Sequence, residues 1–356
     1  MTPSRQTSKV TLKDVAARAG VSISTASLVF SGRGPVADAT AERVRQAATD
    51  LDYAGPDPTA SALRQGRSGA VAVVVEERLL HAFRDPFALA VLDGLAQELD
   101  ALGLSMLLVA DHGDGESNPL AAHAVDAAVF PLCGRADSSL VDHLVARTIP
   151  IVGAGAPAHG SVVHVMVEER AAQADAAQHL VDLGHERLAH VTMPLAPTPP
   201  PGPPRTVSRG EIADAAYADA RERALGFLDV APTGTIVEAS RADVAEGEAA
   251  GRLLLDVPAA ERPTGIVAQS DLLAAGVIRA AESLGLRVPD DISVTGFDAV
   301  DLPWLDHTLT TIEQPGEAKG RLLGNLTRRL LAGENPSDTP FPVTLRLGDT
   351  TAPAPH

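Results

Sequence analysis

Apolar residues recur every three or four positions in three short windows near the N-terminus, and beyond them the pattern changes to short apolar runs separated by longer helical stretches. The first window, Thr11-Leu12-Lys13-Asp14-Val15-Ala16-Ala17-Arg18-Ala19, puts Leu12, Val15, Ala16 and Ala19 on one face and predicts an amphipathic helix. Thr11 stands where a cap belongs, Asp14 where the helix dipole favours an acid, and Gly20 can take the positive φ of a tight turn. A second helix is predicted from its cap Ser22 through Phe30, with Ala26, Val29 and Phe30 inward. A third, about Asp38 to Leu51, turns Val44, Ala47, Ala48 and Leu51 inward. It follows Ala37, which offers no capping side chain, a loss of about 1 kcal/mol unless Asp38 substitutes. Two short helices joined by a glycine turn make a helix-turn-helix, and the third completes a head of about 50 residues.

Gly55-Pro56-Asp57-Pro58 interrupts the helical pattern, and Thr59 to Ser68 is one or two helical turns, too short to be stable alone in water. From residue 69 onward, strand-like runs alternate with helices. Ala70 to Val75, Leu104 to Val109, Ala127 to Leu132, Ile149 to Gly153 and Val162 to Val167 form one set, with a helix from Phe87 to Leu102. Arg187 to Thr192, Ile236 to Glu238, Gly265 to Ala268 and Ile292 to Phe297 form a second. Alternating β and α units predict parallel sheets with helices on both faces, here as two lobes with a cleft between them. The predicted fold is therefore a small all-α helix-turn-helix head on a two-lobed α/β body. Pro194 to Pro204 holds seven prolines in eleven residues and is read as an extended insertion near that cleft, either neutral or bearing on ligand access.

Charge sharpens this division. The 356 residues carry a formal charge of −17, which taken alone argues against nucleic acid. Residues 1 to 67 nevertheless hold nine basic and six acidic groups, a surplus of +3, which leaves −20 on the other 289 residues. One cysteine excludes a disulfide framework and a cysteine-based zinc module. The N-terminus is polar and no apolar run approaches the ~20 residues of a membrane span, so no secretory signal or membrane association is expected and the cytoplasm is the predicted location. Ser24, Ser27, Leu28 and Ser31 lie opposite the buried face of the second helix, where small hydroxyls admit close approach to phosphates and base edges. Leu28 there either packs on the third helix or meets an apolar base edge such as a thymine methyl.

The wording is closer than the grammar. Val10 to Ser22 followed by Ser24-Thr25-Ala26-Ser27 resembles the head of the LacI/GalR (lactose and galactose repressor) family. Gly184-His185-Glu186-Arg187, Arg221 to Phe227, Gln269-Ser270-Asp271, Val294 to Asp298, Leu309 to Ile312 and Asp349 to Pro353 resemble, in order, that family's motifs along the body, the last as a final-strand tail. The resemblance implies a two-lobed body of the periplasmic sugar-binding-protein type. It implies base reading by Ile23, Ser24 and Leu28, with Thr11, Ser22, Thr25 and Ser27 at the DNA backbone. It also implies a hinge helix whose Leu63, beside Ala60, enters the minor groove and kinks the duplex. Leu28 stands where the family often has a polar or basic residue, which implies a different operator, and the linker after Tyr53 is one residue longer than usual. In the cleft, the resemblance points to Asp85 and Phe87 from the first lobe and Arg223, Ser270, Asp271 and Asp298 from the second. An Arg fork and a carboxylate can bracket hydroxyls or an anion, and Phe87 is placed to stack on a ring. Ser270 replaces a common Asn, and Ala242 stands where an aromatic often stacks, which argues against a standard hexose.

The expected division is a head at 1–57, a hinge at 58–68 and a body at 69–356, with lobes of about 69–165 plus 314–340 and 166–313 plus 341–356. The expected function is a homodimeric DNA-binding regulator, a repressor in the first instance, binding a pseudo-palindromic operator and switched by a small-molecule effector, a sugar or related metabolite. No enzymatic activity, cofactor or metal is expected: there is no Gly-x-Ser-x-Gly elbow and no phosphate-cradling Gly-Lys-Ser/Thr loop. Cys133 reads as a packing thiol, and His185, His190, His159 and His164 as structural. The alternatives are a cytoplasmic solute-binding protein without DNA function and a sugar-processing enzyme.

Overall fold

A computed structural model describes residues 10–31, 34–55, 66–76, 79–112, 118–132, 134–197 and 202–355. They fall in two compact units, Met1–Ser68 and Gly69–His356. The predicted hinge positions Ala60 and Leu63, and Cys133, lie outside the described residues.

In the first unit, helices α1 (Leu12–Ala19), α2 (Ile23–Ser31) and α3 (Asp38–Asp50) enclose Val15, Ala16, Ala26, Val44, Ala47 and Ala48. Val29, Phe30 and Leu51 are half-buried at the margin of that core, where Phe30 meets Tyr53 edge-on with ring centroids 5.5 Å apart. The Asp14 carboxylate accepts from the Thr11 N–H at 2.9 Å and the Thr11 hydroxyl at 2.6 Å, which fixes the start of α1. Gly20 ends it at φ +66°. Ser22 Oγ accepts from the Thr25 N–H at 3.1 Å and starts α2. Ala37 gives α3 no side-chain cap, and Asp38 stands in its first turn, where the dipole favours an acid.

The second unit is two lobes. β1 (Ala70–Glu76), α4 (Leu79–Ala82), α5 (Pro86–Ala101), β2 (Ser105–Asp111), β3 (Ala127–Phe130), α6 (Ser139–Ala146), β4 (Ile151–Gly153) and β5 (Val162–Met166) build the first. The second contains α7 (Glu169–Asp182), β6 (Leu188–Thr192), β7 (Arg205–Thr206), α8 (Arg209–Ala213), α9 (Ala218–Val230), β8 (Thr235–Glu238), α10 (Val244–Leu255), β9 (Gly265–Ala268), α11 (Asp271–Ser283), β10 (Ser293–Asp298) and β11 (Thr310–Glu313). The chain then returns through α12 (Gly316–Leu331) and β12 (Thr339–Pro340) to the first sheet, and ends with β13 (Thr344–Arg346) on the second. The sheet orders are β12-β5-β4-β3-β1-β2, all parallel, and β13-β11-β10-β9-β6-β8-β7, parallel except at its two antiparallel edges. Helices cover both faces, so interior strands such as β6 and β9 are buried along their whole length and read as apolar runs.

Four strands escaped the sequence pattern or shifted. β7, β12 and β13 span two or three residues, too few to show a period. The expected final strand at Asp349 to Pro353 is irregular instead: the Thr350 hydroxyl donates to the Val294 carbonyl at 2.7 Å and accepts from the Thr310 N–H at 3.0 Å, so side-chain bonds replace a ladder.

Helix pairs within each lobe meet backbone to backbone. α5 and α12 approach through Gly94 and Gly320; a Cβ on Gly320 would overlap the Val91 carbonyl, and one on Gly94 the Glu317 carbonyl. Gly320→Ala is therefore expected to destabilise the body by about 1–3 kcal/mol, the ordinary cost of overpacking. Its thermal midpoint falls in calorimetry; an unchanged midpoint contradicts this packing.

Candidate functional site

Two places in the molecule are built for recognition. On the head, α2 exposes Ser22, Ile23, Ser24 and Leu28 opposite buried Ala26, while Thr25 and Ser27 are half-buried on its flanks. Ile23 is 49% and Leu28 39% exposed, an unusual amount of apolar surface for a two-turn helix. The Ser22 hydroxyl lies 2.7 Å from that of Ser24 and 2.8 Å from that of Thr25, so three hydroxyls cluster where α2 begins. Thr11 is exposed beside them, although its hydroxyl already donates to Asp14. Leu28 does not pack into the core: its side chain lies over the backbone of Gly34, close to where a Cβ on that residue would stand.

In the body, a cavity of about 290 Å³ lies between the lobes at the carboxyl ends of the strands, where ligands of open α/β sheets bind. Asp85 and Ala88 reach it from the start of α5, and Leu132 from beyond β3. Met193, Tyr217, Asp219, Ala220, Ala242 and Leu272 face them from the second lobe. Pro194, the first proline of the rich segment, also lines it. One edge of the cleft is closed by backbone: Arg135 and Tyr217 form an antiparallel bridge, and the Ala136 N–H donates to the Ala216 carbonyl at 3.3 Å. Arg135 is held there by Glu76 at 3.5 Å and Asp111 at 3.6 Å.

Of the six positions expected in the cleft, only Asp85 lines this cavity. Asp85 Oδ1 caps α5 by accepting from the Phe87 N–H at 2.9 Å, and burial raises its carboxyl above the usual range. Phe87 packs inward, with the Lys319 ammonium 5.6 Å from its ring centre. Ser270 caps α11, its Oγ accepting from the Leu273 N–H at 3.2 Å. Arg223 is 2% exposed: Nε donates to Glu169 at 2.6 Å, Nη1 donates to the Gln269 carbonyl at 2.7 Å, and the guanidinium lies 3.6 Å over the Phe297 ring. Asp271 is 1% exposed, accepting from the Thr311 hydroxyl at 2.6 Å and the Val300 N–H at 2.8 Å. These three form the floor beneath the cavity.

Asp298 ends β10 at φ +109°, a strained value for a residue with a side chain. Burial raises its carboxyl well above the usual range, Arg223 opposes that shift, and Asp85, Asp271 and Glu169 add to it. Gln314 donates to Asp298 at 3.3 Å and accepts from the buried Lys319 at 3.1 Å. A chain of contacts thus runs from Phe87 in the first lobe through Lys319 and Gln314 to Asp298 in the second.

Gln269 holds the rest of the floor. Its side chain accepts from the Met193 N–H at 3.1 Å, donates to the Ala220 carbonyl at 2.9 Å and lies 2.9 Å from His190 Nε2. His190 is stacked on Phe227, and burial lowers it to about 3, so the ring is neutral. Asp219 was missed by sequence reasoning, yet a signal existed: it stands one helical turn before Arg223, which places both on one face of α9. Gln314 and Lys319 carried none, because only the return of α12 to the first lobe brings them here. Among the described residues, no group of three or more His, Cys, Asp or Glu is placed to hold a metal, and no helix is long and apolar enough to cross a membrane.

Residues 11–55 match the model for bacterial regulatory proteins of the lacI family, and residues 177–351 the model for a periplasmic binding protein-like domain. An HTH-type transcriptional regulator of Mycolicibacterium smegmatis is 31% identical over 94% of this chain and 93% of its own length. The HTH-type transcriptional regulator IpsA of Corynebacterium glutamicum is 30% identical over 96% of this chain and 98% of its own. Among solved structures, a complex of the transcriptional regulator CelR with cellobiose superposes at a TM-score of 0.65 with 26% identity, covering 96% of this chain and 99% of that one.

Asp271 makes the floor sensitive to pH. Burial, opposed by its hydrogen bonds, raises its carboxyl from 3.8 to about 7. The folded state therefore holds a proton that the unfolded chain releases above pH 3.8. Its stabilising contribution is full below that value and is lost as pH rises to about 7. Asp85 and Asp298 shift the same way. Asp271→Asn is expected to shallow this decline without abolishing it, measured as urea midpoints across the same window; an unaltered slope contradicts the assignment.

Proposed function

The chain belongs to the lacI family of bacterial regulatory proteins and is a DNA-binding transcriptional regulator, and from that premise we propose that it is a repressor whose hold on operator DNA is set by a small molecule in the interlobe cleft. The observation that carries the DNA half is the exposed face of α2, with Ile23 and Leu28 standing out of a cluster of hydroxyls. Ile23, Ser24 and Leu28 meet base edges in the major groove, and Thr11, Ser22, Thr25 and Ser27 face the backbone. The segment at 58–68 acts as a hinge between a head at 1–57 and a body at 69–356, with Ala60 and Leu63 at the minor groove. Two copies of the chain bind the two halves of a pseudo-palindromic site in the cytoplasm.

The effector half rests on the cavity between the lobes. A related regulator is known in complex with cellobiose, and a sugar or related metabolite is the corresponding ligand class here. Asp85 and Asp219 contact it directly. Arg223, Asp271, Ser270, Phe87 and Asp298 form the supporting layer, because their polar groups are engaged within the protein or they pack beneath the cavity wall. Catalysis has no part in this reading. The named relatives are regulators, and the body's acids are arranged around a binding cavity.

Selection of bound duplexes from a random pool is expected to enrich a two-fold symmetric sequence, and failure to enrich any sequence contradicts the reading. Leu28→Ala is expected to weaken binding to the selected site by about 1–3 kcal/mol. The salt dependence stays unchanged, since an apolar contact releases no counterions. Fluorescence anisotropy at several salt concentrations checks both, and an unaltered sequence preference removes Leu28 from base reading.

A further inference from the structure

The interlobe cavity is unevenly charged. Four acids line it, Glu76, Asp85, Asp219 and Asp243, against two arginines, Arg84 and Arg241. Glu76 is matched by Arg135 at 3.5 Å, and Asp243 by Arg241 at 2.8 Å. Arg84 is exposed to solvent and makes no ion pair among the described residues. Asp85 and Asp219 thus face the cavity without a cation. Asp219 is the sharper case: both of its carboxylate oxygens are buried and neither has a hydrogen-bond partner. A carboxylate only accepts, so whatever seats on it must donate. The other walls, including Ala88, Leu132, Met193, Ala220, Ala242 and Leu272, are aliphatic and offer the charge no compensation. Behind them, Asp298, Glu169 and Asp271 outnumber Arg223.

We propose that the effector of this cleft carries a protonated amine that seats on Asp219, with Asp85 adding to the negative field and the aliphatic walls taking the remainder of the molecule. The inference rests on the cleft being an effector site, and it goes further by fixing the sign of the ligand's charge. An ammonium supplies up to three donors and one positive charge. It therefore satisfies both Asp219 oxygens and the surplus negative charge at once, which a lone hydroxyl does not.

Isothermal titration of the full chain with two matched pairs tests this. Glucosamine and N-acetylglucosamine share a ring and differ in charge; tyramine and 4-ethylphenol share an aromatic body and differ likewise. In at least one pair the amine is expected to bind about tenfold or more tightly than its neutral counterpart. Asp219→Asn is expected to remove that preference while keeping DNA binding. Its ligand-free melting temperature equals or exceeds that of the unsubstituted protein, because an unpaired buried charge is gone. Asp219→Ser serves as the second variant where the amide disturbs packing. Neutral members binding as tightly as the amines overturns the proposal and leaves the effector reading standing. Absence of binding by all four overturns it as well. The effector reading itself fails on a different observation, an operator affinity indifferent to every ligand that stabilises the body.

Discussion

The floor of the cleft depends on one buried cation. Arg223 is almost wholly removed from water, and a charge so placed is tolerated only with paired and hydrogen-bonded partners. It has three from three elements: the Glu169 carboxylate at the start of α7, the Gln269 carbonyl after β9, and the Phe297 ring on β10. Removing one partner from such an arrangement ordinarily costs about 3–5 kcal/mol, because the other charge stays buried. That constraint fixes the ends of α7, α9, β9 and β10 relative to each other. It also positions Gln269, whose side chain holds Met193 and Ala220, two residues of the cavity wall.

The same constraint reaches the first lobe. Arg223 moderates the carboxyl of Asp298, which receives Gln314, which in turn receives the buried Lys319 lying over Phe87. Two residues before Phe87 stands Asp85, on the opposite wall of the cavity. Polar groups at this depth act through few contacts and in low dielectric, so a small change in lobe separation alters several of them together. The backbone bridge between Arg135 and Tyr217 crosses the cleft at a different edge. Opening the lobes breaks hydrogen bonds at both places, which gives a bound ligand something to bias.

The head and the body's alternating pattern were legible because each residue position there acts through periodicity: Val15, Ala26 and Val44 mark one core, and runs such as Ala70 to Val75 mark buried parallel strands. The net charge misled until it was divided, since −17 conceals a positive head on a strongly acidic body. The cleft was less legible. Motif positions led to Arg223, Ser270 and Asp271, which turn out to hold the floor rather than line the cavity. A motif reports which residues the fold brings near, and tertiary hydrogen bonds decide which of them remain available. Asp219 was accessible through its helical spacing from Arg223. Lys319 and Gln314 were not, because their role arises only when α12 recrosses to the first lobe.

The coupling of cleft to DNA is tested most directly by titrating the selected operator with the full chain, by fluorescence anisotropy, without and with a saturating ligand that stabilises the body. A ligand switch predicts that the operator Kd changes, and that saturating operator changes the ligand's Kd by the same factor, since coupling free energy is reciprocal. An operator Kd that stays constant under saturating ligand contradicts it.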